Sequence, residues 1–135
     1  MPSIFTRIID GEIPGRFVHR DDTCVAFMDV RPLNRGHVLV VPIVEVDHWI
    51  DLDADTVSHL MAVAHRVGAA QQAAGLASDR VGLVVAGFEV PHVHVHVVPI
   101  STMADLDFTR ADTSPDLDDL DAVAASLRER LGSAG

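Results

Sequence analysis

Three histidines spaced by single valines, His92-Val93-His94-Val95-His96, carry the clearest chemical potential in the chain. On a strand, successive side chains point to opposite faces, so the three imidazoles share one face and Val93, Val95 and Val97 take the other. A rise of about 3.3 Å per residue sets next-but-one rings roughly 6–7 Å apart. Such a row presents donors and acceptors over about the length of a phosphate group with its leaving group. Three uses are open to it. It serves as the polar face of a half-buried strand, where threonine, lysine or glutamate would do as well. It chelates zinc, with His37 or His48 arriving as a further ligand. Or it acts as a nucleophile on phosphorus, since neutral imidazole attacks near pH 7 and neighbouring rings carry or deliver protons. Histidine at every position of the face argues against the first use, and the balance favours the third.

The other candidates are weaker. His19, His48, His59 and His65 lie outside the row, and His59 and His65 fall in a helical segment where partial packing or solvation is expected. Cys24 is the only cysteine, which excludes an internal disulfide and fits a reducing compartment. It sits in the apolar run Cys24-Val25-Ala26-Phe27 and reads as a core residue, not a nucleophile.

The elements that must position the histidine row follow from patterning. Ser3 is placed to cap a short helix over Ile4 to Asp10, with Gly11 ending it. Pro14-Gly15 leads into a strand at Arg16 to His19, and Asp21-Asp22 turns the chain into a second strand, Cys24 to Asp29. After the loop Arg31 to Gly36, a third strand runs from His37 to Val41. Leu60, Val63, Ala64, Val67 and Ala70 recur at helical steps within the long helix Asp53 to Ala74. Strands at Arg80 to Ala86 and Val93 to Pro99 follow. Residues 101–135 form an acidic tail ending in a helix, with Ser114 as its expected cap and Pro115 at its first position. The sum is a single α+β domain over residues 1–135, with an antiparallel sheet of about five strands, one long helix and flanking short helices.

Composition narrows the partners. The formal net charge is −10, and all ten basic residues are arginine. Little basic surface is available for a phosphate backbone, so nucleic acid is not an expected partner. The longest apolar run, around Val38 to Val44, is too short to span a bilayer, and no membrane association is expected. No basic-then-apolar leader opens the chain, which makes the cytoplasm the expected location.

His92-Val93-His94-Val95-His96-Val97-Val98 resembles the histidine triad motif of the HIT superfamily of nucleotide hydrolases and transferases. Ile4-Phe5 and Ile8 to Pro14 are similar to the amino-terminal helix and turn of its HINT-like branch. Phe27 to Val30 with Pro32, and Gly36 to Pro42, are similar to the strand, loop and strand that precede the family's long helix. The resemblance implies that His94 attacks the α-phosphate and forms a covalent nucleotidyl-histidine. It implies that His92 orients the site, while His96 and His37 stabilise charge on the non-bridging oxygens. Asp29 would hold the ribose hydroxyls, and Ile4, Phe5, Ile8, Ile13 and Phe27 would wall the base. The implied substrate is a purine nucleotide, a phosphoramidate or a related ester, and the implied assembly is a homodimer through the long helix and a strand edge. No cofactor is required on this reading, although zinc is compatible with the residues.

One stretch departs from the family. Phe88 stands where the family usually has glutamine, and Glu89 where it has serine or threonine. If the strand ran unbroken through Pro91, Phe88 would share the histidine face and enter the phosphate pocket. If Gly87 bends the chain, Phe88 would turn into the core. Glu45 likewise occupies a position where histidine is common. These losses keep a rival open, a nucleotide-binding or regulatory protein with little catalysis; a zinc-binding protein is the further alternative.

Overall fold

The structure, a computed structural model, describes residues 1–77 and 79–132. Five strands, β1 (Phe17–Arg20), β2 (Cys24–Met28), β3 (Val38–Pro42), β4 (Arg80–Val84) and β5 (Val95–Ile100), form one antiparallel sheet in the order β1-β2-β3-β5-β4. Three α-helices accompany it: α1 (Ile4–Ile9), α2 (Ala54–Ala73) and α3 (Leu117–Leu131). Single 3-10 turns lie at Trp49–Asp51, Met103–Leu106 and Phe108–Arg110.

Both faces of the sheet are covered, and strand parity decides what each face receives. Every residue of β2 and β3 is buried. Ala26, Met28, Val38, Val40, Val95 and Val97 pack under α2 and α3, against Leu60, Val63, Val67, Val123 and Leu127. Val25, Phe27, Leu39 and Val41 take the opposite face, where Phe5 and Ile9 of α1 close over them. The alternation from Val93 through β5 therefore sends Val93, Val95 and Val97 into the helical layer and His94 and His96 to the face of α1. Gln71 of α2, fully buried, donates to the carbonyls of Gly36 (2.8 Å) and Val97 (3.0 Å), tying the start of β3 to the end of the histidine row. Gly36 has φ +93°, and a Cβ there would come 2.8 Å from Leu76, so only glycine makes the turn that delivers His37.

Three boundaries differ from the sequence reading by two residues, the others by no more than one. Regular pairing of β5 begins at Val95 and β4 ends at Val84, because Gly87, at φ +86°, breaks the line between them. Phe88 enters neither the phosphate pocket nor the core; it is 97% exposed in the chain. The last helix is capped by Asp116, not Ser114: its carboxylate accepts from the amides of Asp118 and Asp119. A carboxylate with two amides in reach outcompetes the upstream serine, whose own amide donates to Asp112. Among the described residues, no helix is long and apolar enough to cross a membrane.

Candidate functional site

His94 and His96 line a cleft of about 250 Å³ between α1, the end of β2 and the segment that follows β5. Ile4, Phe5, Ile8 and Phe27 form its apolar side. Asp29, Arg31 and Glu89 bring charge to its edge, and Arg16 also lines it. His92 and His37 have no exposed surface and sit behind the lining. Phe5 organises the wall: its ring meets Phe27 at 5.7 Å, His94 at 4.9 Å and His92 at 5.9 Å, each edge-on.

The hydrogen bonds assign a proton to one nitrogen of each ring. A carbonyl only accepts, so the 2.7 Å contact between His94 Nδ1 and the His92 carbonyl puts the His94 proton on Nδ1. In the neutral ring, Nε2 is then left with its lone pair. His92 is set the opposite way: Nε2–H donates to the Pro42 carbonyl at 2.8 Å, and Nδ1 accepts from the Ser3 hydroxyl at 2.7 Å. His37 Nδ1 accepts from the Leu33 amide at 3.0 Å, so its proton is on Nε2, which donates to His96 Nδ1 at 3.0 Å. His96 must therefore carry its own proton on Nε2. A bare nitrogen on His94 thus stands next to an N–H donor on His96, with ring centroids 4.9 Å apart.

Burial favours the neutral form of His37, His92 and His96. It pushes His37 down to about 3, helped by repulsion from His96 and His94, and His96 down to about 4, helped by His94. His92 is lowered by burial too, partly offset by the Pro42 carbonyl and Glu45. Asp29 is held by its own loop: Oδ1 accepts from the Arg31 amide at 2.8 Å, and Oδ2 is 3.5 Å from His37 Nε2. Burial raises its carboxyl above the usual range, with Glu89 adding to the rise and Arg31 and His94 opposing it.

Two of the proposed wall and pocket residues lie elsewhere. Ile13 does not line the cleft, because Gly11 (φ +84°) turns the chain after α1 and the Ile13 amide bonds back to the Arg7 carbonyl. Pro14 and Gly15 reach the cleft in its place. Phe88 is likewise outside the lining, while Glu89 belongs to it. The ligand atoms of Asp29, His37 and His96 lie within 4.8 Å of one another, a grouping able to hold a metal ion. His48 is in no such group among the described residues.

Two features escaped the sequence reading. The first is a clasp on His92. The Ser3 amide and the Thr6 hydroxyl both donate to Glu45 Oε1, at 2.6 and 2.7 Å, and fix the Ser3 hydroxyl against His92. Ser3 was legible as a helix cap, a role it also fills by accepting from the Thr6 amide, but its second contact spans 89 residues. The second is the return of the acidic tail. Phe108 packs edge-on to His96 at 4.8 Å, and Thr109, Ala111 and Thr113 join the cleft lining. A lone aromatic in a polar stretch was the only signal for it.

An imidazole with its Nε2 lone pair unprotonated in the neutral ring, beside a donor imidazole and an apolar wall, has the groups that nucleophilic attack on an oxyanionic centre would use. The family model of the HIT domain matches residues 10–103, and the chain belongs to that family. It is 32% identical over 104 residues to the purine nucleoside phosphoramidase of Escherichia coli, covering 71% of this chain and 85% of that protein. A HIT-like protein from Bartonella henselae involved in cell-cycle regulation superposes with a TM-score of 0.80, at 26% identity over 95% of each chain. A HIT family hydrolase from Legionella pneumophila matches with a TM-score of 0.63, at 31% identity, over 76% of this chain and 96% of its own.

Proposed function

We propose that the protein is a nucleotide hydrolase or nucleotidyl transferase acting at the α-phosphate, with purine nucleoside phosphoramidates as the substrate class. The observation that carries this reading is the pair of opposed tautomers, Nδ1–H on His94 and Nε2–H on His96. In the first step the His94 Nε2 lone pair forms a bond to phosphorus, and the bond from phosphorus to the leaving amine breaks. The amine takes a proton from solvent. His94 becomes an N-phosphorylated imidazolium whose Nδ1–H stays on the His92 carbonyl. His96, neutral, contributes a hydrogen bond to a non-bridging oxygen and not a proton, and His37 holds it in that tautomer. In the second step water attacks phosphorus, the bond to Nε2 breaks, one proton returns to solvent, and the nucleoside monophosphate leaves. Asp29 is assigned to the ribose hydroxyls, and Ile4, Phe5, Ile8 and Phe27 to the base. No step needs a metal.

One feature favours the rival reading, a nucleotide-binding protein with little turnover. Glu89 lines the cleft and raises Asp29 by repulsion, so a phosphate meets a carboxylate where the family usually offers a hydroxyl. Incubation with adenosine phosphoramidate separates the two: release of adenosine monophosphate that disappears in His94→Ala supports the enzyme, and binding without release supports the rival. The same proposal includes a homodimer through α2 and the edge strand β4, where Met61 and Leu83 are exposed. Light scattering on the purified chain tests it.

A further inference from the structure

A second cluster of ligating side chains stands apart from the cleft, at the turn between β1 and β2. It draws on His19 of β1, Asp21 of the turn, Cys24 at the start of β2 and His59 of α2. The Asp21 carboxylate is oriented by its own turn, since Oδ1 accepts from the amides of Thr23 and Cys24, both at 2.8 Å. Its other oxygen is therefore turned to the side chains. Oδ2 lies 2.6 Å from His19 Nε2, 2.8 Å from His59 Nε2 and 3.8 Å from Cys24 Sγ. The ligand atoms of His19, Asp21 and Cys24 are all within 4.8 Å of one another. His19 and Cys24 are buried, whereas the His59 side chain is 40% exposed and leaves a way in. None of the four lines the catalytic cleft.

We propose that His19, Asp21, Cys24 and His59 form a binding site for a tetrahedral divalent transition metal, with zinc as the ion that fits best. Two imidazoles, a carboxylate and a thiolate are donors zinc accepts, and a thiolate excludes magnesium and calcium. Bond lengths of about 2.0–2.3 Å place tetrahedral ligand atoms roughly 3.3–3.6 Å apart. The separations from Asp21 Oδ2, 2.6, 2.8 and 3.8 Å, bracket that range. His59 lies outside the mutually close group of His19, Asp21 and Cys24, so an ion is seated when Asp21 Oδ2 withdraws and the partly exposed His59 side chain swings in as the fourth ligand. Charge closes as well: two positive charges meet one carboxylate and one thiolate, and the half-buried site becomes neutral. Binding deprotonates the Cys24 thiol and releases one proton. The two imidazoles ligate through Nε2 after their protons move to Nδ1, with no further release. The ion would fasten the β1–β2 turn to α2, a structural role on the sheet face away from the chemistry.

The test is a Co²⁺ titration of the full chain, free of any affinity tag. The site predicts one equivalent bound, with tetrahedral visible absorption and a thiolate-to-cobalt band in the near ultraviolet, both displaced by zinc. Cys24→Ser is expected to lose the near-ultraviolet band. His59→Ala, at a partly exposed helix position, is expected to stay folded and bind at least tenfold more weakly. Zinc should raise the Tm of the wild type and not that of His59→Ala. Absence of a thiolate band overturns the proposal, as does a spectrum indifferent to His59→Ala but lost in His96→Ala.

Discussion

Replacing Ser3 with alanine removes one hydroxyl that does two jobs. It leaves His92 Nδ1 without its 2.7 Å donor inside a fully buried ring environment, and it strips α1 of the side chain that accepts from the Thr6 amide. An unsatisfied buried acceptor costs about 1–3 kcal/mol. Loss of a serine cap costs about 1 kcal/mol. Together they give a destabilisation of about 2–4 kcal/mol. The Thr6 hydroxyl, 3.5 Å from the same nitrogen, is the nearest replacement and sets the lower end of the range. The effect reaches the chemistry through the backbone, because the residue that loses its clasp is the one whose carbonyl fixes the His94 proton on Nδ1. A misplacement of about 1 Å costs on the order of a hundredfold in rate, so kcat should fall by tenfold to a hundredfold on that scale while KM changes little. Ser3→Thr keeps the hydroxyl and should restore most of both. Urea unfolding and steady-state kinetics on the two variants decide the matter. A Ser3→Ala protein with wild-type stability and wild-type kcat would refute the clasp.

Asp29→Asn should weaken ribonucleotide binding by about 1.5–3 kcal/mol, the worth of a hydrogen bond to a charged group; equal wild-type affinity for adenosine monophosphate and its 2′,3′-dideoxy analogue would count against the ribose role. Acid should destabilise the fold through the buried rings. Burial holds His37 at about 3 and His96 at about 4 against an ordinary 6.5, so below pH 6.5 the unfolded chain takes up protons that the native rings refuse. Their contribution is complete above pH 6.5 and is lost as pH falls, at about 2–3 kcal/mol per pH unit while both groups act, ending near pH 4 for His96 and near pH 3 for His37; unfolding midpoints that stay level across this window would contradict it. Phe88→Gln, at a fully exposed position, should change stability by no more than about 0.5 kcal/mol and leave kcat unaltered, so a rate gain would place this side chain in the cleft after all.

How far the sequence could be read depended on whether the relevant contact was local. The parity of His92, His94 and His96 against Val93, Val95 and Val97 is a two-residue rule, and the sheet obeys it. The α2 face was equally legible from its helical repeat. Parity failed at Phe88 because the rule assumes a continuous strand, and Gly87 at positive φ ends that assumption one residue earlier. Ile13 failed for a related reason, since the chain turns at Gly11 before reaching it. The Ser3–Glu45–His92 clasp and the packing of Phe108 on His96 join residues far apart in the chain. No spacing rule encodes them; they follow from the strand order that brings β3 beside β5 and returns the tail across the site.

The central claim is that Nε2 of His94 is the atom that bonds to phosphorus. Rapid mixing with adenosine phosphoramidate, quenching under conditions that preserve phosphoramidate linkages, and peptide mass spectrometry test it directly. The account predicts a single adenylylated peptide with the modification on His94, absent from His94→Ala. An adduct on His92 or His96, or turnover with no adduct at the earliest times, would contradict it.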